Sequence, residues 1–133
     1  MARTIQDQYL EEEVLGADPL KLVCLLYRGA IDAVRDARRQ LAQGAIQERS
    51  KQIGKAWLIL QELSASLDRD HGGELTSRLA GLYAYMQTRL IEANSQQSDG
   101  PLQEVDVLLA DLSEAWQSAA KSQEAEAEAL ALV

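Results

Sequence analysis

Phenylalanine is absent from the sequence, and cysteine and histidine occur once each. A single cysteine cannot form a disulfide within the chain, and one histidine beside one cysteine offers little for nucleophilic or metal chemistry. The longest uninterrupted apolar run, residues 22–27, is far shorter than the roughly 20 residues that span a bilayer as a helix. The N-terminus also lacks the apolar stretch of a signal peptide. We therefore expect a cytoplasmic protein that inserts into no membrane.

Basic residues are outnumbered, with 13 Lys and Arg against 21 Asp and Glu, so the net charge is -8. A chain of this charge repels phosphate backbones and anionic lipids, and we expect neither nucleic acid nor a membrane surface as its partner. The acidic excess lies in residues 1–20 and 101–133, whereas residues 21–100 are nearly neutral. This distribution predicts solvated ends around a folded body.

Four stretches show the apolar spacing of amphipathic helices, and almost none shows the alternation of a strand. Pro19 suits the start of the first helix, and Gly44 suits its end. The seam of this helix consists of Leu20, Val23, Tyr27, Ala30, Val34, Ala37 and Leu41. The other helices are predicted at about 46–67, at about 74–94 and from Pro101 onwards, with Ile46 and Leu75 on the seams of the second and third.

Short connections between helices of similar length favour antiparallel neighbours. We therefore predict an all-α protein whose residues 18–121 form an antiparallel up-and-down four-helix bundle. Residues 1–17 form an N-terminal capping segment in this prediction. Residues 122–133 alternate Ala and Glu and are predicted to be a low-complexity, frayed or disordered tail.

Reactive side chains do not converge on a catalytic site in this sequence. Cys24 lies in the apolar run and His71 in a glycine-rich turn, so we interpret both as structural. Di-iron bundles need a Glu-x-x-His motif on two helices, whereas the nearest pattern here, residues 71–74, is single and crosses a turn. We expect no enzymatic activity, no cofactor and no metal.

The one dense positive cluster is Arg35, Arg38 and Arg39 in the first helix. Asp32 and Asp36 lie three or four residues from these arginines along the same helix. This spacing predicts ion pairs within the helix, on a face turned to solvent.

The first helix carries more apolar residues than one seam requires. A second stripe, about a quarter turn from the seam at 100° per residue, consists of Leu22, Leu26, Gly29 and Ala33, with Leu25 beside it. Either the helix touches more neighbours within the bundle, or the stripe forms a groove for a partner helix. The apolar residues Tyr9 and Val14 in the acidic lead favour a segment that lies on the bundle, which a competing peptide can displace.

Several ordered motifs resemble the family of flagellar secretion chaperones called FliS, over nearly all of residues 9–117. The carriers include Ala-Asp-Pro at 17–19, Leu-Tyr-Arg-Gly-Ala at 26–30 and Gly-Gly-Glu at 72–74. The most specific is LYAYMQTRLIEAN at 82–94, which is similar to the family's LYxYMxxRLxxAN signature. Trp116 matches the family's tryptophan in the last helix. The sequence departs from the family's pattern at three places, which are the Glu-Glu-Glu triplet at 11–13, Trp57 and the Ala/Glu tail.

The resemblance implies a chaperone that binds the disordered C-terminal segment of flagellin in the bacterial cytoplasm and prevents premature polymerisation. It also implies delivery to the flagellar type III export apparatus, whose components are further expected partners. The client lies as helices on apolar grooves, and the N-terminal lead covers one groove when the client is absent. This assigns Tyr9 and Val14 to the cap, and the second stripe with Leu25 to a groove. Polar-tipped candidates for contacting the client backbone are Tyr83, Tyr85, Arg89 and Asn94.

A second function stays open from the residues alone. The spare stripe can pair with its own copy, which would make the chain a self-associating helical adaptor. We expect a monomer or a weak homodimer for a chaperone and a dimer without client for an adaptor.

Overall fold

The computed structural model describes residues 19–68 and 70–131. Within those ranges it contains four α-helices and no strand, which confirms the all-α prediction. Each helix packs against two neighbours, so that the four close into a ring in chain order. The helices are α1 (Pro19–Ala42), α2 (Ile46–Ala65), α3 (Gly73–Gln96) and α4 (Asp99–Ala131).

Contacts between helix ends establish the directions of the helices. Ser50, near the start of α2, donates to the side chain of Asn94 near the end of α3 at 2.9 Å. Lys21 near the start of α1 faces Glu124 in the last part of α4, and Arg38 near the end of α1 pairs with Asp99 at the start of α4. Neighbouring helices therefore run antiparallel, as the short connections predicted.

The core consists mainly of the predicted seam residues. The largest side chains that are almost fully enclosed are Tyr27, Tyr83, Leu60, Leu63, Met86, Leu90, Leu102, Leu109, Val34 and Val105. Burying a Leu, Val or Met side chain contributes about 1.5–3 kcal/mol, so aliphatic residues supply the stabilisation in a chain without phenylalanine. Ile46 and Leu75 differ from the prediction and are 55% and 66% exposed. Each lies in the first turn of its helix, where the neighbouring helices cover it poorly.

The ends of α1 and α3 both use left-handed backbone. Gly44 has φ 73° after α1, where a glycine avoids the cost that a side chain meets, and the N–H of Ala45 donates to the carbonyl of Gln40 at 2.9 Å. Gln97 has φ 52° and ends α3. Because α4 already begins at Asp99, the connection between α3 and α4 is shorter than the predicted loop over 95–100.

The arginine cluster pairs differently from the sequence prediction. Only Arg39 pairs within α1, with Asp36 at 3.0 Å. Arg35 and Arg38 instead reach across to Asp106 of α4, at 3.1 Å each. The Asp106 side chain is only 12% exposed and faces α1, so it requires cationic partners more than an exposed carboxylate does.

Helix α4 continues to Ala131, whereas the sequence suggested a frayed or disordered tail from residue 122. Ala, Glu, Gln and Leu favour helix, and Lys21 pairs with Glu124 at 3.8 Å to hold the first turn of this extension. The N-terminal capping segment, residues 1–17, lies outside the described residues. None of the described helices combines the length and the hydropathy that crossing a membrane requires.

Candidate partner-binding site

The second stripe of α1 is largely covered by the bundle. Leu26 and Ala33 are buried in the hydrophobic core, and Leu22 is half-buried against it. Helix α1 packs against both α2 and α4, and each neighbour covers a different part of its surface. More of α1 is therefore buried than a single seam accounts for. Leu26 and Ala33 are therefore core residues and do not line a groove. Leu25 and Gly29 keep part of their surface exposed.

Tyr83 also belongs to the core rather than to a surface. Its hydroxyl lies 2.6 Å from the hydroxyl of Tyr27, and both side chains are buried. The Tyr27 ring lies 6.4 Å from the ring of Trp116. Burial raises the pKa of both phenols, so the pair is neutral and hydrogen-bonded. Tyr83 was predicted to contact the client backbone. Its hydroxyl instead bonds to Tyr27 inside the core and is not accessible to a client.

Tyr85 and Arg89 form a polar cluster on the surface between α3 and α4. Tyr85 donates to Glu104, and this bond raises the pKa of the Tyr85 phenol. Arg89 pairs with Glu92 and places Nη2 3.5 Å from Glu104. The Nε atom of Arg89 is enclosed and has no hydrogen-bond partner among the described atoms. Tyr85 is 46% exposed, so it remains accessible to a partner.

Asn94 lines a groove between α2 and α3, the α2/α3 groove, which has a volume of about 350 Å³. Its side-chain carbonyl accepts from Arg49 Nε at 3.2 Å and from the Ser50 hydroxyl at 2.9 Å. As far as the structure describes it, the lining carries no charge. The lining residues are Ser50, Ile53, Gly54, Trp57, Ile91, Asn94 and Ser95.

Apolar groups are exposed at and beside this groove. Ile91 is 57% exposed, and Leu58, one turn beyond Gly54 on α2, is 62% exposed. A Cβ atom added at Gly54 would meet nothing within 4 Å, so the α2 backbone is open to close approach there. Sequence reasoning did not assign Gly54 or Leu58 to a site. The sequence does contain one signal for Gly54, which is a glycine in the middle of a predicted helix. Glycine destabilises a helix interior, so its presence there indicates a role in close packing or in binding.

The described residues contain no group of His, Cys, Asp or Glu that could hold a metal ion. Among those residues, His71 bonds only with Asp68 in the exposed turn before α3, with 3.0 Å between Nδ1 and Oδ2. The arrangement presents apolar and charged surfaces for association rather than converging reactive groups.

A family model described as "Flagellar protein FliS" matches residues 1–123. The chain belongs to the FliS family. FliS proteins are chaperones and not enzymes, and the chain shares their export-chaperone role in flagellum assembly.

Named relatives of the chain agree with the FliS match. The chain is 37% identical over 111 residues to the flagellar secretion chaperone FliSB of Pseudomonas aeruginosa, covering 84% of this chain and 88% of the relative. It is 37% identical over 108 residues to the flagellar secretion chaperone FliS of Salmonella typhimurium, covering 80% of each. With the FliS of Bacillus subtilis the identity is 31% over 115 residues, covering 86% and 85%.

Proposed function

We propose that the chain binds the C-terminal segment of flagellin in the bacterial cytoplasm, prevents its premature polymerisation and aids its delivery to the flagellar type III export apparatus. The observation that carries this proposal is the uncharged α2/α3 groove on a bundle of the FliS family. Its exposed apolar side chains provide a place where the apolar face of a client helix can be buried.

The mechanism is folding of the client upon binding. Ordering a disordered segment costs about 2–5 kcal/mol, and apolar burial offsets this at about 25 cal/mol for each Å². Ile91 and Trp57 supply apolar walls, and the open backbone at Gly54 lets the client helix approach closely. The resulting affinity is moderate, which suits a chaperone that must release its client at the export apparatus.

The predicted cap and groove on α1 remain part of the proposal in a narrower form. Leu22, Leu25 and Gly29 are the positions of the stripe that keep exposed surface for a client. Tyr9 and Val14, the predicted cap residues, lie outside the described residues. The buried positions act indirectly, because they set the spacing of the helices that form the grooves.

The test is a titration of the full chain with the C-terminal segment of flagellin from the same organism, followed by calorimetry and circular dichroism. We expect saturation near one to one with a gain in helix. Ile91→Glu should weaken binding about tenfold, because it places a charge where an apolar side chain is buried. Leu75→Glu is the matched control, since Leu75 is an apolar residue of similar exposure on the same helix but lies outside the groove.

An unchanged affinity in the Ile91→Glu variant would remove the α2/α3 groove from the proposal. Absence of binding by the unaltered chain, together with a dimer that persists on dilution, would reject the chaperone-client proposal and support the self-associating adaptor instead.

A further inference from the structure

Helices α1 and α4 face each other along a row of ion pairs. At one end, Arg38 pairs with Asp99 at 2.9 Å, and Arg35 pairs with Asp106 at 3.1 Å. At the other end, Lys21 faces Glu124 at 3.8 Å. The cationic residues of this row lie on α1, and the carboxylates lie on α4.

The row has a gap at Arg28, which lies seven residues from both Lys21 and Arg35 along α1. The antiparallel register that places Arg35 opposite Asp106 and Lys21 opposite Glu124 places Arg28 opposite Ser113 and Gln117. Neither of these residues is charged, and they bond to each other at 3.2 Å. Within residues 19–68 and 70–131, no ion pair involves Arg28.

The gap opens into a groove of about 330 Å³, the α1/α4 groove. Three cations line it against one carboxylate, which leaves a net charge of +2 in a chain of net charge -8. Lys121, like Arg28, makes no ion pair with any described residue. The lining residues are Lys21, Cys24, Leu25, Arg28, Gln117, Ala120, Lys121 and Glu124.

The ring of helices places this groove on the side of the bundle opposite the uncharged α2/α3 groove. The two grooves therefore select different chemistry. An apolar side chain can lie on Leu25 and Ala120, while Arg28 and Lys121 beside them, which pair with no carboxylate of the described residues, attract a carboxylate. Arg28 and Lys121 are both exposed, so their pairing with a partner removes little water from the chain itself.

We propose that the α1/α4 groove binds a client segment in which a carboxylate lies within one helical turn of an apolar side chain. The client carboxylate pairs with Arg28 and Lys121 and fills the gap in the row of ion pairs, and the apolar side chain packs on Leu25. This assignment rests on the proposed function, because it takes the client to be the C-terminal segment of flagellin.

The first test compares client affinity at low and at physiological salt for the full chain and for an Arg28→Gln/Lys121→Gln variant. We expect about fivefold weaker binding in the variant and a smaller salt dependence, since two exposed ion pairs are lost. The matched control is Lys51→Gln/Lys55→Gln, which removes the same charge from exposed positions on α2. Equal affinities of the variant and the unaltered chain would overturn the proposal, and so would an equal loss in the control.

The second test fills the gap from within the chain. Gln117→Glu supplies a carboxylate opposite Arg28 and is expected to weaken client binding by a similar factor, because the new side chain competes with the client. Gln123→Glu adds the same charge to the same helix outside the groove and should leave the affinity within about twofold. An unchanged affinity in the Gln117→Glu variant would contradict the assignment of Arg28.

If the flagellin segment does not bind the unaltered chain, the proposed function fails and the groove is tested separately. The probe is then a synthetic helical peptide of Leu, Glu and Ala, compared with its counterpart in which Gln replaces Glu. Preference for the Glu peptide that disappears in the Arg28→Gln/Lys121→Gln variant supports the groove. Equal binding of both peptides, or binding of neither, overturns it.

Discussion

At the scale of single residues, the phenols of Tyr27 and Tyr83 join two helices that are not neighbours in the ring. Helices α1 and α3 lie diagonally across the core. The hydroxyl oxygens of Tyr27 on α1 and Tyr83 on α3 are 2.6 Å apart. A buried hydroxyl requires a partner, so each phenol satisfies the other. The pair favours one relative position of α1 and α3, because a shift along either helix would break this buried hydrogen bond.

We expect Tyr83→Phe to lower the free energy of unfolding by about 0.5–1.5 kcal/mol, because the buried Tyr27 hydroxyl loses its bond to Tyr83 and keeps only the interaction with Trp116. The double variant Tyr27→Phe/Tyr83→Phe should lose less than the sum of the two single variants, since the bond between the two hydroxyls is removed only once. Urea denaturation followed by the fluorescence of Trp57 and Trp116 measures both effects. Losses that simply add in the double variant would show that the two hydroxyls do not depend on each other.

At the scale of helices, α1 and α4 differ most from the sequence interpretation. The second apolar stripe of α1 is largely covered because α1 has two packed neighbours, and Leu26 and Ala33 are buried. Helix α4 extends to Ala131, with strong helix formers in its last turns and the contact between Lys21 and Glu124 at the start of the extension. The ion pairs of Arg35 and Arg38 bind the two helices together along one face.

Helix α2 carries a glycine that stability alone does not favour. Gly54→Ala should raise the free energy of unfolding by about 0.5–1 kcal/mol, because the position is helical and an added Cβ meets nothing within 4 Å. The same variant should weaken binding of the flagellin segment, because the methyl group enters the α2/α3 groove. Thermal unfolding and calorimetric titration of one preparation measure the two effects together.

Gly44→Ala is the contrasting substitution, since Gly44 also has open space but a positive φ of 73°. It should lower the free energy of unfolding by about 1–2 kcal/mol, the cost of left-handed backbone for an L-residue. A stabilising effect at Gly44 or a destabilising effect at Gly54 would contradict the helix-end and groove assignments.

At the scale of the whole molecule, the closed ring of helices separates two surfaces of different character. The α2/α3 groove is uncharged where it is described, and the α1/α4 groove carries a positive charge within an acidic chain. Because core side chains hold the ring closed, partners can bind in either groove without opening the bundle. This arrangement suits a client that contacts opposite sides of the chaperone.

The buried phenols of Tyr27 and Tyr83 also make the free energy of unfolding fall with rising pH in the alkaline range. Burial raises the pKa of Tyr27 and Tyr83 above the value of about 10 for an unfolded chain. Their contribution is therefore complete below about pH 10 and is lost as the pH rises through the folded-state pKa values, by up to about 1.4 kcal/mol per pH unit and per phenol. Urea midpoints between pH 9 and 11 test this, and the double phenylalanine variant should show a smaller decline.

Much of the fold was accessible from local patterns. Seam spacing identified Tyr27, Ala30, Val34 and Ala37 as core residues of α1, and Gly44 as its end. The motif at 82–94 identified the family that the comparison with FliS confirms. The core face of a helix follows from the spacing of apolar residues along it, and the end of a helix follows from local backbone conformation. Both depend on residues close together in the chain, so both can be predicted from the sequence.

The tertiary structure decided which apolar and polar groups remain available for binding. Leu26, Ala33 and Tyr83 lie off the predicted seams, so their spacing suggested positions at the surface. Packing of α1 and α3 within the ring nevertheless buries all three side chains. Arg35 and Arg38 have nearby aspartates on their own helix but pair with Asp106, because only the fold brings that shielded carboxylate close. Local sequence patterns predicted four helices, most of their seam residues and the family. Burial and ion-pair partners depended on contacts between residues far apart in the chain, which periodicity does not encode.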